Sequence, residues 1–125
     1  MNKEHLEHFL DKGFELGCRN PVKDPHRLSW ILISKVKPED RYLSLLEPGE
    51  EPEFVARQEL LRKRPYQVQL VEVGKAAHES GHARERDCVF NDVLYMGSLD
   101  EVEEFLHKFG NALEDIKWRH EIDAP

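Results

Sequence analysis

Residues 98–110, SLDEVEEFLHKFG, decide how this chain is read. Ser98 followed three residues later by Glu101 is a capping box, in which the serine hydroxyl accepts a backbone N–H and the glutamate reaches back over the helix start. Leu99, Val102, Phe105, Leu106 and Phe109 then recur at the i, i+3, i+4, i+7 spacing that gathers them on one helix face. Gly110 supplies the left-handed stop. Burying five such side chains contributes roughly 8–15 kcal/mol at about 1.5–3 kcal/mol each, an upper bound because the unfolded chain is already partly collapsed. This helix is therefore a core element. Its other face carries Asp100, Glu101, Glu103 and Glu104, more acid than the positive end of a helix dipole requires.

On the N-terminal side, Asn2 is placed to cap a first helix in which Leu6, Phe9, Leu10, Gly13 and Phe14 share a face, with Gly17 closing it. Pro21 and Pro25 make 19–27 a loop. Leu28 to Val36 is apolar on both faces and predicts a central strand, which Pro38, Glu39 and Asp40 turn into a hairpin with Arg41–Leu46. Pro48, Gly49 and Pro52 break the acidic stretch 47–53, and Glu53–Arg64 predicts a short helix ended by Pro65, with Phe54, Val55 and Leu61 as a thin apolar stripe. Tyr66, Val68 and Leu70 alternate with Gln67, Gln69 and Val71 as a half-buried strand. Residues 74–87 are polar with small side chains. Cys88–Met96 predicts a further strand with a bulge near Asn91 and Asp92, and Ile116, Trp118, His120 and Ile122 alternate as a final one. Strands joined by short connections favour antiparallel pairing. The expected fold is a single α+β domain over 1–125, with a mainly antiparallel sheet of about five strands packed by two main helices and one short helix.

With 125 residues the chain is long enough to bury a core without disulfides or metal. Charged residues make up 34% and hydrophobic ones 39%. No apolar run approaches the ~20 residues that span a bilayer, and residues 1–10 carry Glu and His where a signal peptide needs an apolar core. The expected location is the cytoplasm, with no membrane partner and with Cys18 and Cys88 as reduced thiols. The net charge of −7 is unevenly spread: residues 37–55 sum to −4, residues 98–125 to −5, and the remainder to +2. Direct nucleic-acid binding is disfavoured, because phosphate contacts need a clustered positive surface. A basic protein partner is steered in by the same field.

The sharpest chemical pattern is His78, Glu79, Ser80, Gly81, His82. It is similar to the HExxH signature of zinc metalloproteases. That likeness implies His78 and His82 as zinc ligands, Glu79 as the base that activates a water, and a third ligand among Glu101, Glu103 and Glu104. A purely structural zinc site would combine His78, His82 and Cys88 with Cys18. Against the protease, Gly81 lowers helix propensity by about 1 kcal/mol and the charged run 84–87 follows at once. No phosphate-binding glycine loop, GxSxG or CxxC occurs. Arg57, Arg62, Lys63 and Arg64 form a short basic patch that reads as a solvated helix face or as the complement of an acidic region on a second copy.

In size, charge, α+β content and missing signal segment, the chain resembles the small acidic immunity proteins that protect bacteria from contact-dependent inhibition and related polymorphic toxins. The resemblance implies a non-enzymatic toxin inhibitor whose acids cover the basic active cleft of a cognate toxin, often a nuclease. The expected partner-binding residues are Glu50, Glu51 and Glu53 in the acidic loop and Asp100, Glu101, Glu103 and Glu104 on the helix, with no cofactor. The alternative is a small zinc-dependent hydrolase built on 78–82.

Overall fold

The computed structural model describes residues 1–22, 25–36, 52–79 and 88–124. Among these residues five strands form one antiparallel sheet in the order β4-β3-β2-β1-β5: β1 Leu16–Asn20, β2 Arg27–Lys35, β3 Tyr66–Gly74, β4 Cys88–Met96 and β5 Lys117–Trp118. The main helices are α1 (Lys3–Asp11), α2 (Pro52–Lys63) and α4 (Leu99–Lys108), with the five-residue α3 (Lys75–Glu79) between β3 and β4. The expected α+β architecture is what forms. No helix among the described residues is long and apolar enough to cross a membrane.

Both α1 and α4 are held as their sequences direct. Asn2 Oδ1 accepts the His5 N–H at 2.8 Å, and Ser98 Oγ accepts the Glu101 N–H at 3.3 Å. The Glu101 carboxylate reaches back to the N–H of Gly97, one residue before the cap, at 2.8 Å. At the other end of α4, Asn111 N–H donates to Leu106 C=O and Gly110 N–H to His107 C=O around Gly110 at φ +78°, a Schellman motif. The same pair of bonds ends α1 around Gly13, at φ +87°.

The α1 stop corrects the expectation that the first helix runs to Gly17. Gly13 closes it, and Leu16–Asn20, expected as helix end and loop, is β1. Gly17 serves the sheet: a Cβ there would lie 2.3 Å from the Ile31 carbonyl oxygen. The expected hairpin strand 41–46 lies outside the described residues; among the described residues β2 pairs with β1 and, over nine residues, with β3. The irregularity in β4 falls one turn of the pleat earlier than Asn91, since Phe90 opposes Glu72 and Cys88 opposes Val73, leaving Val89 extra. Residues 75–79, for which the sequence showed only polar and small side chains, are helical. The expected final strand 116–122 shrinks to Lys117–Trp118, flanked by 3₁₀ turns at 113–115 and 119–121.

Side chains separate cleanly by sheet face. On one face Leu16, Cys18, Ile31, Ile33 and Val68 pack under Leu6 and Leu10 of α1 and Val102 and Leu106 of α4. On the other, Trp30, Leu32, Val71 and Val73 pack against Ile122. The α1 edge is fastened by Lys35, which donates to Glu7 at 2.9 Å and to Asp11 at 2.6 Å, while Tyr66 Oη donates to Glu7 at 2.6 Å.

Candidate functional site

Complete burial of Val102 and Leu106 fixes the rotation of α4 and thereby the direction of its acids. Asp100 accepts from Lys3 Nζ at 2.5 Å, with Glu103 at 3.7 Å from the same ammonium. The Asp100 hydrogen bond is the largest cause raising the Lys3 pKa. Glu101 is occupied by its capping role. Glu104 alone of the four makes no hydrogen bond or ion pair among the described residues, and the Asp100 side chain is still 79% exposed. The acidic face is therefore partly neutralised by a lysine 97 residues away, which no local pattern announces.

Glu53 sits apart from these acids. With Ala56, Arg57 and Leu60 of α2 it lines a separate groove beside Tyr95. Glu50 and Glu51 lie outside the described residues. The two expected acidic clusters are thus not joined into one surface by Glu53.

The 78–82 stretch divides in the same way. His82 lies outside the described residues. His78, the penultimate residue of α3, packs against Trp30 with ring centroids 4.8 Å apart and the rings tilted by 56°, and its Nε2 is 3.1 Å from Asp123 Oδ2. Glu79 pairs with Lys75 at 3.8 Å. Trp30 donates its Nε1–H to the Ile122 carbonyl at 2.7 Å and lies 5.4 Å from the Arg19 guanidinium. His78 accordingly ties the segment after β5 onto the second face of the sheet. The proposed zinc partners are elsewhere: Glu101, Glu103 and Glu104 stand on α4 over the first face, and Cys18 is buried beneath it. No group of three metal-ligating side chains converges among the described residues. Burial first, and the Asp115 carboxylate second, push the Cys18 thiol up to about 12, so it is held as the neutral thiol.

The surface that sequence reasoning missed is the β4 edge. β5, at the opposite edge, is two residues long and presents little backbone. β4 is nine residues long with a single charge, Asp92, and no described strand pairs with its outer side. Val93 and Leu94, which alternation sends to opposite faces, are 38% and 37% exposed. Above Leu94 lies a groove of about 480 Å³ lined by Leu94, Met96, Phe105 and Phe109, with Glu101, Glu104, Arg64 and Lys108 around it. Phe105 and Phe109 touch, with centroids 5.0 Å apart. Natural edge strands are normally shortened, charged or covered; this one is long, carries one charge, and has no partner strand on its outer side among the described residues. The legible signal was the run Val93–Met96, apolar at consecutive positions, which suits a strand covered on both faces. No protein-family model, curated protein or solved structure matches this chain.

Proposed function

We propose that this chain is a non-catalytic binding protein of the immunity type, which neutralises a cognate basic protein in the cytoplasm by laying an acidic helix face against it. The supporting observation is the outward ridge of α4. Asp100, Glu103 and Glu104 project from a helix whose inner ridge is locked into the core by Val102 and Leu106. Carboxylates on so rigid a support keep their spacing without an ordering cost on binding. Lys3 is itself half exposed, so an incoming arginine can replace it at Asp100. The charges set the rate of encounter, and adjacent apolar side chains supply most of the affinity.

The test is selection of partners from a display library of genome fragments from the source organism. Basic fragments whose toxicity is relieved by co-expression of this chain are the expected result, with association slowing at least tenfold between low and high salt. An Asp100→Lys/Glu104→Lys variant should lose most of that rate. Capture of the same fragments at the same rate by this variant, or an on-rate unchanged by salt, overturns the proposal.

A further inference from the structure

We infer that the outer edge of β4, which no described strand covers, takes a second copy of this chain, joining two sheets through an antiparallel β4–β4 pair and bringing the two α4 helices into contact on the same face. The inference does not rest on the basic partner proposed above, because it concerns the free protein and is read from its oligomeric state, although Glu104 belongs to both surfaces.

A two-fold axis normal to the sheet is the operation that pairs an edge strand antiparallel with itself, and it keeps each face of one sheet continuous with the same face of the other. α4 touches both β3 and β4. With strands about 4.8 Å apart, a helix midway over those two lies about 5 Å from the axis, so the two α4 helices would stand roughly 10 Å apart. That is the normal separation of packed helices, about 8–10 Å. The apolar groove over Leu94 then becomes the inner side of a helix pair, with Phe105 and Phe109 supplying the contact.

Register follows from charge. Centring the strand pair on Asp92 would place two carboxylates opposite each other, which is destabilising. Centring it on Val93 or Leu94 does not. Counting back from Met96 at about 3.3 Å per residue, these positions lie roughly 7–10 Å from the strand end, level with helix residues about four to seven beyond Leu99 at about 1.5 Å each. The axis therefore passes α4 between residues 103 and 106. At that centre, Lys108 of one helix falls opposite Glu101 and Glu104 of the other. Acid at one end and base at the other make the α4 ridge complementary to itself under the same axis that the strand requires. One further consequence is that the dimer sets two acidic outer ridges side by side.

Sedimentation velocity of the free chain from about 1 to 100 μM tests this, alongside thermal melting of each variant. The wild type is expected to dimerise in that range. Leu94→Lys, a change at an exposed position, should weaken the dimer at least tenfold while the melting curve is kept. Glu104→Lys should weaken it severalfold, and adding Lys108→Glu should restore it, because the exchanged charges are again opposite. A monomer throughout the range overturns the inference, as does a dimer indifferent to Leu94→Lys. A dimer weakened by Leu94→Lys but not restored by the charge exchange overturns the α4 contact that the inference includes.

Discussion

Replacing Gly17 by Ala probes the closest approach in the sheet. An added Cβ would sit 2.3 Å from the Ile31 carbonyl oxygen, 3.1 Å from Leu32 Cδ2 and 3.3 Å from Ile122 Cδ1. The two side-chain neighbours can give by a few tenths of an ångström. The carbonyl cannot, since it belongs to β2, paired with β1 on one side and β3 on the other. Overpacking of this kind costs about 1–3 kcal/mol, and the upper end applies where the obstacle is backbone. Alanine recovers roughly 0.5–1 kcal/mol of the flexibility cost of a strand glycine, leaving a net loss of about 2 kcal/mol. At an unfolding entropy of about 2.1 cal/mol/K per residue, a chain of this length loses about 4 °C per kcal/mol, so Tm should drop by roughly 8 °C. Gly74→Ala is the control, because nothing lies within 4 Å of its Cβ and its φ is not positive; it should melt with or slightly above the wild type. Circular dichroism melts of the three proteins decide the matter. A Gly17→Ala protein that melts with the Gly74→Ala control refutes the close-approach account.

Alkaline pH should unfold the protein early. Cys18 is raised from 9.0 to about 12, first by burial, and Tyr66 from 10.0 to about 12, first by burial and then by its hydrogen bond to Glu7. In both, folding favours the protonated form. Their stabilisation is complete below the unfolded values and is lost as pH rises through the folded ones, between about pH 9 and 12. A tenfold difference in proton affinity between the folded and unfolded chain corresponds to about 1.4 kcal/mol. Urea titrations across that window should show a steep fall, made shallower by Cys18→Ala, and equal slopes for the two proteins would contradict the assignment. Trp30→Phe removes the indole donor to the Ile122 carbonyl and part of the ring under His78. It should cost about 1–3 kcal/mol and speed hydrogen exchange in residues 119–124 before the rest of the chain, whereas uniform acceleration would show that the segment is not held by Trp30.

The elements with complete local instructions were legible. Ser98, Gly110 and the Val102/Leu106 spacing define α4 without reference to anything distant, and Asn2 does the same for the start of α1. Leu28–Val36 declared itself a central strand because both of its faces are apolar, and both are indeed covered. Its neighbours were not legible, since pairing with β3 joins residues some thirty to fifty positions apart through hydrogen bonds that carry no residue code. Gly17 illustrates a different failure: a glycine after an amphipathic stretch can end a helix or admit a neighbouring strand, and Gly13 had already done the first. Among the candidate site residues, the acids of α4 were visible from composition. Their partial neutralisation by Lys3, the separation of Glu53 from them, and the placing of His78 on the face opposite α4 are all products of long-range packing.

The pairing of β5 with β1 sets a constraint on synthesis. Lys117 and Trp118 hydrogen-bond with Gly17 and Leu16, about 100 residues earlier. At roughly 5–20 residues per second, a ribosome needs about 5–20 s to pass from one partner to the other. Throughout that interval β1 has an unpaired side, and the Trp30 indole lacks its acceptor at Ile122. Residues 117–122 thus act as a clasp: a nascent chain can gather β1 to β4 as they emerge, but β1 gains its second neighbour only when this segment arrives.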